Sequence, residues 1–386
     1  VIYLDNAATS YPKPEAVYRA IDDFARASGG NPGRAGHRLA VEAEAMIDDT
    51  RRLAARLFGG PRPERIVFCL NATDALNMAV KGVVRPGDHV ITSVLEHNSI
   101  NRPLNRLERD GVITLTRLPA GSDHLIDPDA LARAWRPHTR LVAVTHASNV
   151  TGTIQPVGAC GRIVRERGGL LLVDAGQSAG VVPIDVAADL IDLLAFTGHK
   201  GLLGPTGTGG LVVGERAEVA PWREGGTGGD SADPLQPADL PWHLEGGTPN
   251  VFGIAGLREG LRLLLERGVE NVLAHERALL ATLLGALRRP ELFSFYGADR
   301  LILERGGEGR VGLLSFTMAG YAPDELATLL DQHFEIAVRP GLDCAPYAHQ
   351  HLGTFPAGAT RLSVGFLSTE DDVLEAAAAL NELTGF

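Results

Sequence analysis

The sequence predicts a layered α/β protein: a large domain on a mainly parallel, seven-stranded sheet flanked by helices, followed by a smaller α+β domain. Three observations carry this. Short apolar runs alternate with amphipathic helical patterns through the first two thirds of the chain, the order that winds a parallel sheet. Several runs, such as "GLLLVDAG" and "LIDLLAFTG", are almost continuously apolar rather than alternating, as strands covered on both faces must be. Past residue 255 the order changes to two long helical patterns and then shorter mixed elements.

In chain order, "VIYLDNAATSYPKP" opens as a segment expected to pack on the smaller domain. Helical periodicity covers "PEAVYRAIDDFARAS", "HRLAVEAEAMIDDTRRLAARLF", "TDALNMAVKGV" and "PVGACGRIVRERG", each setting apolar residues three and four apart on one face. The strand-like runs are "RIVFCL", "DHVITS", "VITLTRL", "RLVAVTHAS", "GLLLVDAG", "LIDLLAFTG" and "GGLVVG". From Pro221 to about Asn250 the chain is dense in Gly and Pro with no sustained period, the mark of a long functional or disordered connection. The helical patterns "FGIAGLREGLRLLLERG" and "NVLAHERALLATLLGALRR" follow. Then "RVGLLSFTM", "DELATLLDQHF", "EIAVRP" and "TRLSVGFLS" suggest the smaller domain, closed by "EDDVLEAAAALNEL". The boundary is expected near residue 255, dividing 1–255 from 256–386.

Composition narrows the function classes. With 386 residues, 45% hydrophobic and 22% charged, the chain has room for two domains and an ordinary globular core. A net charge of −11 argues against a nucleic-acid or anionic-membrane partner. Cys69, Cys160 and Cys344 are widely spaced and odd in number, which suits a reducing compartment better than a disulfide framework. No basic stretch leading into an apolar run opens the sequence, and no run approaches the length of a membrane span. A cytoplasmic protein is expected.

The candidate chemistry gathers at strand ends. "GPTGTGG" lacks the Gly-Lys-Ser/Thr of a phosphate-binding P-loop and does not run from strand into helix, so a nucleotide fingerprint is not supported. Asp174 follows the apolar "GLLLV", and Lys200 follows "LLAFTGH"; ligands of open α/β sheets bind outside the carboxyl ends of strands. A carboxylate and an amine delivered there are the two groups that pyridoxal-phosphate chemistry needs: the lysine for a Schiff base, the carboxylate to keep the pyridine nitrogen protonated. From these positions alone Asp174 could equally cap a helix and Lys200 reach solvent. Asn149 in "SNVTGT" and Gln177 add neutral amides. Ala72 and Thr73 stand at an expected helix start, where N–H groups and a hydroxyl grip phosphate; Thr197 and His199, beside the lysine, can do the same. Cys69 and Cys160 lie in apolar patterns and read as small buried hydrophobes. Cys344 lies in "VRPGLDCAPYAHQHLG", a Gly- and Pro-containing stretch consistent with a mobile loop. Cys344, His349 and His351 have no fourth ligand cluster, so a metal site is not supported.

The motifs "YLDNAATSYPKP", "EHNS", "SNVTGT", "VDAGQS", "FTGHK", "GGTPN" and "RPGLDCAP", in this order, resemble the class V aminotransferase superfamily and, within it, the cysteine desulfurase and selenocysteine lyase group. The motifs span nearly the whole chain. The resemblance implies a fold-type I pyridoxal-phosphate transferase acting as a homodimer. It implies that Lys200 carries the cofactor, Asp174 pairs with its ring nitrogen and Gln177 contacts its phenolic oxygen. His97 would stack on the ring and exchange protons. Thr73, Thr197 and His199 would bind the phosphate, with Thr248 reaching it from the partner subunit. Asn149 and Arg361 would hold the substrate carboxylate, with Arg339 also binding the substrate.

L-Cysteine desulfuration is the activity this implies. On that resemblance Cys344 would take sulfur from the substrate as a persulfide and pass it to an acceptor protein, such as one of iron–sulfur assembly. Selenocysteine lyase or cysteine-sulfinate desulfinase activity is the nearest alternative, followed by another class V aminotransferase-type reaction. Two departures stand out. Where desulfurases with a compact cysteine loop read R-x-G-H-H-C-A, this chain has Arg339-Pro-Gly-Leu-Asp343-Cys344-Ala. Asp343 beside the thiol is expected to oppose its ionisation, leaving Arg339 or the cofactor's charge to favour it. Asn71 stands where many relatives carry Gly.

Overall fold

The computed structural model describes residues 1–33, 36–227, 232–297 and 308–385. A short strand β1 (Ile2–Tyr3) and helices α1 (Glu15–Ala27) and α2 (Arg38–Leu57) precede the main sheet. The sheet strands are β2 (Ile66–Cys69), β3 (Asp88–Ser93), β4 (Ile113–Leu118), β5 (Thr139–Thr145), β6 (Leu170–Asp174), β7 (Leu193–Thr197) and β8 (Gly209–Val213). Among them run helices α3 (Ala72–Val83), α4 (Asn98–Arg109), α5 (Pro128–Ala134) and α6 (Val157–Glu166).

All seven expected strands join one sheet in the order β2-β8-β7-β6-β5-β3-β4. Only β8 runs against its neighbours; the other pairings are parallel. Six strands therefore end at one edge. The continuous apolar runs are explained by the period-two alternation of a pleated strand. Leu171 and Val173 of β6 face a core with residues of α2 and α6, while Leu170 and Leu172 face a second core with α3 and α4.

The connection after β8 holds no helix or strand among its described residues up to Asn250; residues 228–231 of that expected loop lie outside the described part. Helices α7 (Val251–Arg267) and α8 (Val269–Gly285) follow. The smaller domain contains strands β9 (Phe293–Tyr296), β10 (Leu313–Met318), β11 (Ile336–Ala337), β12 (Arg339–Gly341) and β13 (Ala359–Ser363). Its helices are α9 (Pro323–Phe334), α10 (Pro346–Leu352) and α11 (Glu370–Leu383). An antiparallel sheet runs β12-β13-β10-β9, and β1 pairs in parallel with β11.

The expected division near residue 255 falls inside α7. Ile254, Leu257, Leu261 and Leu264 of that helix bury into the large-sheet core together with Val272, whereas Leu279, Leu280 and Leu283 belong to the smaller domain's core, as does Leu4. The two cores thus meet along α8. The stretch around Cys344 is shorter as a loop than its composition suggests: β12 leads in, and Pro346, which suits a first helical position, starts α10 two residues after the cysteine. Among the described residues no helix is long and apolar enough to cross a membrane.

Candidate active site

The sheet's carboxyl edge gathers the expected residues because parallel strands deliver their ends together. Asp174 is the last residue of β6, in register between Thr145 of β5 and Ala195 of β7. Thr197 ends β7, and His199 and Lys200 occupy the turn beyond it. β3 ends at Ser93, just before Glu96 and His97, and β5 ends before Asn149. β2 leads into Asn71 and the start of α3 at the same edge.

Burial shifts the titration of both members of the central pair. Asp174 is 6% exposed, and one carboxylate oxygen accepts from the Gly176 N–H at 2.8 Å. Burial raises its pKa, while the Gly176 hydrogen bond and the nearby Lys200 pull it back. The Lys200 amine is desolvated, and this lowers its pKa to about 8. The Arg361 guanidinium adds to the fall, and Asp174 opposes it. At pH 7 such an amine is roughly one tenth free base, against roughly one part in three thousand for an ordinary lysine. It is poised as a nucleophile and base.

His97 caps α4, and its Nδ1 accepts from the Ser99 N–H at 3.1 Å. Burial, with Lys200 and Arg339 as the next causes, pushes its pKa down to about 4. The ring is therefore neutral at pH 7 and its proton sits on Nε2. Ser99, a residue the sequence reading missed, ties two expected ligands together: its hydroxyl lies 2.9 Å from His97 Nδ1 and 2.7 Å from Thr73 Oγ1. Its place as the last residue of "EHNS" was the available signal.

An anion cradle stands beside this pair. Asn71 is the N-cap of α3 and its side chain accepts from the Asp74 N–H at 3.0 Å. Its φ of −175° is extended backbone, so the position does not require glycine. Ala72 and Thr73 open the helix, where N–H groups lack intrahelical acceptors and the helix dipole favours negative charge. Thr197 Oγ1 and His199 Nδ1 are buried with no hydrogen-bond partner, a desolvation penalty that a bound group would relieve. A phosphate acceptor, a protonated ring nitrogen for Asp174 and an aldehyde for Lys200 fit these residues, so the donor set suits pyridoxal phosphate. Gln177 donates to the Ala7 carbonyl at 3.0 Å. Lys13, also missed, donates to Ser10 Oγ at 2.7 Å and to the His199 carbonyl at 2.8 Å, pinning the N-terminal segment to the lysine's turn.

The smaller domain supplies the opposite wall. Arg361 of β13 is 2% exposed. It donates to the Asn149 carbonyl at 3.0 Å and to Asp5 Oδ1 at 3.0 Å. Asp343 Oδ1 lies 3.1 Å from Arg361 Nη1 and 3.0 Å from Arg339 Nε. Neither contact has hydrogen-bond alignment, so these are ion pairs by distance alone. The Asn149 side chain donates to the Asp343 carbonyl at 2.6 Å, and the Asn98 N–H donates to the Cys344 carbonyl at 2.7 Å. Cys344 is exposed, with Arg339 Nη2 3.8 Å from its sulfur. Asp343 faces the two arginines rather than serving only as the thiol's acidic neighbour. Burial raises its pKa to about 6 despite Arg361 and Arg339. Cys69 and Cys160, by contrast, are pushed up by burial to about 12 and about 11.

A depression of about 1520 Å³, lined by Arg51, Phe68, Trp242 and Thr248, contains none of Lys200, Asp174 or Cys344. Its size does not make it the reaction centre, because it lacks the strand-end pair. Thr248 is exposed there, in a depression whose lining does not include Lys200. Among the described residues no group of three or more His, Cys, Asp and Glu is placed to hold a metal ion.

The aminotransferase class-V family profile matches residues 2–375. A probable cysteine desulfurase of Methanothermobacter thermautotrophicus is 34% identical over 390 aligned positions, covering 100% of this chain and 95% of that protein. The cysteine desulfurase CsdA of Escherichia coli is 33% identical, covering 96% of this chain and 91% of its own. Among solved structures, the apo cysteine desulfurase of Thermococcus onnurineus superposes with a TM-score of 0.91 at 32% identity, covering 100% of this chain and 95% of that one. Crystalline E. coli CsdA superposes with a TM-score of 0.87 at 31% identity over 100% of this chain and 94% of its own. With this match over its length and a lysine–aspartate pair at the sheet edge, the chain belongs to the class V aminotransferase family and groups there with the cysteine desulfurases.

Proposed function

We propose that this protein removes sulfur from L-cysteine, using pyridoxal phosphate held at the sheet's carboxyl edge, and stores it as a persulfide on Cys344. One observation carries the reading: a desolvated lysine amine beside a buried aspartate faces a wall that carries an exposed cysteine and a buried arginine.

Pyridoxal phosphate, when bound, supplies an electron sink for the substrate's Cα. Ala72, Thr73, Thr197 and His199 would hold its phosphate, Asp174 its ring nitrogen, Gln177 its phenolic oxygen and Lys200 its aldehyde carbon, and His97 would pack against the ring. Thr248 is assigned to the same phosphate in a second copy of the chain, as a homodimer would place it. Arg361 and Asn149 orient the substrate through its carboxylate, which a planar guanidinium matches in two-point fashion. The free Lys200 amine takes the Cα proton. The Cys344 thiolate forms an S–S bond to the substrate sulfur as the Cβ–S bond breaks, the electron pair staying with Cβ, which takes a proton in place of sulfur; Arg339 Nη2 lies 3.8 Å from the Cys344 sulfur. His97, neutral with its proton on Nε2, can donate to the substrate side. Alanine leaves, and the outer sulfur passes to an acceptor thiol.

Incubating the holoenzyme with L-cysteine and weighing its peptides tests this. Cys344 should gain one sulfur atom, Lys200→Ala should abolish the gain, and Cys344→Ala should stop sulfide release from cysteine. Sulfide release unchanged by Cys344→Ala would move the reading to selenocysteine or cysteine-sulfinate cleavage, where the bond breaks with less help from a thiol.

A further inference from the structure

The residue beside the thiol occupies the place assigned to the substrate. Arg361 and Asn149, the two carboxylate ligands of the proposed function, are both engaged by Asp343: the first by its carboxylate at 3.1 Å, the second by its carbonyl at 2.6 Å. Arg339 adds a contact at 3.0 Å, and the Asp343 side chain is completely buried. We propose that Asp343 is an internal stand-in for the substrate's α-carboxylate, and that an entering amino acid must displace it, freeing the Cys344 turn as it does so. This rests on the reading that Arg361 binds the substrate carboxylate.

Three features distinguish a displaceable occupant from a permanent buried ion pair. First, the contact is imperfect. Neither carboxylate oxygen of Asp343 has an aligned hydrogen-bond donor, and Arg361 Nε is also without a partner. A free carboxylate, not tied to a backbone, can align on a guanidinium where Asp343 does not. Second, the backbone is held unfavourably. Asp343 and Cys344 have φ values of +46° and +57°, two successive non-glycine residues in the left-handed region, a conformation that persists only where surrounding contacts impose it. Third, the charges facing Asp343 are Arg361, Arg339, Asp5 and Lys200, and burial still raises its pKa, as expected of an acid held without full compensation. Asp5 also pairs with Arg361, at 3.0 Å, from the N-terminal segment. It can hold the guanidinium in place while Asp343 leaves.

The arithmetic is that of self-competition. An internal group filling the pocket roughly nine tenths of the time weakens apparent affinity about tenfold, and emptying it restores the loss. Only ligands that use the same contact are affected. The test measures calorimetric affinity of the holoenzyme for L-alanine and for L-alaninamide, which lacks the carboxylate. Asp343→Asn, with Asp343→Ser as a second variant of smaller volume, should bind L-alanine at least about fivefold more tightly and leave L-alaninamide within about twofold. With L-cysteine, KM should fall more than kcat changes. L-Alanine affinity within about twofold of wild type in both variants overturns the displacement, as does an equal tightening toward the amide. If Arg361→Ala abolishes the preference for L-alanine over its amide while the Asp343 variants change nothing, only the stand-in fails. If Arg361→Ala leaves that preference intact, the carboxylate assignment fails first. Should the variants not fold, hydrogen exchange in the wild type decides. Saturating L-alanine, but not the amide, should accelerate exchange across residues 339–345, and unchanged exchange overturns the proposal.

Discussion

Gly209→Ala should weaken cofactor binding without removing any group that touches the cofactor. A methyl at Gly209 would lie 2.6 Å from Asn71 Cα, 2.8 Å from Asn71 C and 2.8 Å from the Phe196 carbonyl oxygen. All three are backbone atoms, so no rotamer change relieves the clash. Comfortable carbon contacts need roughly 3.5 Å, so the neighbours must retreat by something on the order of 0.8 Å. Asn71 caps the helix that opens with Ala72 and Thr73, and Phe196 precedes Thr197; the retreat pushes the two halves of the phosphate cradle apart. Overpacking of this kind costs about 1–3 kcal/mol. If the strain falls on the cradle, affinity for pyridoxal phosphate drops roughly 5- to 150-fold. Titrating the apo protein with cofactor and following its absorbance measures this. Gly285→Ala is the control: nothing lies within 4 Å of its methyl at the end of α8, so cofactor affinity should stay put. Wild-type cofactor affinity in Gly209→Ala would refute the reasoning, wherever the strain went.

Cofactor capture by the apo protein should accelerate with rising pH with a midpoint near 8, the depressed pKa of Lys200; a rate still climbing steeply above about pH 9.5 would contradict the desolvation of that amine. Glu276 is buried on α8, accepts from the Gly312 N–H at 3.2 Å, and has its pKa raised by burial to about 8. An acid raised on folding supports the fold below its ordinary pKa and loses that support as pH rises through the folded value. Glu276→Gln should therefore gain stability progressively from about pH 4.5 to 8, by up to roughly 3 kcal/mol at neutral pH, read as a pH-dependent rise in Tm over wild type. Glu245→Ala should be costly in the other direction. Its carboxylate pairs with both terminal nitrogens of Arg51, at 2.8 and 2.7 Å, and accepts from the Phe68 N–H. Stranding a buried arginine costs about 3–5 kcal/mol, measured by denaturant melts, and Arg51→Ala with Glu245→Ala should cost less than the two single losses combined.

Most of the large sheet was legible because its inner strands are buried on both faces and run almost continuously apolar; β4, at the sheet edge, keeps an alternating pattern and is partly exposed. Strand direction was not: nothing in "GGLVVG" tells that β8 runs backwards, since direction depends on which neighbours it joins. Helix α4 escaped notice because "NSINRPLNRLER" is polar and contains Pro103; α5 is only seven residues long. The boundary near 255 missed the packing of α7 because an apolar helix face does not name the core it enters. At the site, Lys200 and Asp174 were readable as polar residues at the ends of apolar runs. The placement of Asp343 was not. Its contacts come from residues 149, 339 and 361, with Asp5 on the same guanidinium, and no local pattern records that such distant segments converge.

The backward course of β8 has a consequence for the lysine. Thr197 and Gly209 are paired across β7 and β8, and the Gly198 N–H donates to the Thr208 carbonyl at 2.7 Å, so the excursion that carries Lys200 is laced shut at its neck. A parallel successor would have demanded a long crossover at this point. The amine therefore works on a short leash. If Lys200 carries the cofactor as proposed, its amine would stay at side-chain distance when released, and recapture would be intramolecular, at a local concentration far above that of any competing free amine. On that reading, turnover would end with the protein reclaiming its own cofactor instead of losing it to solution.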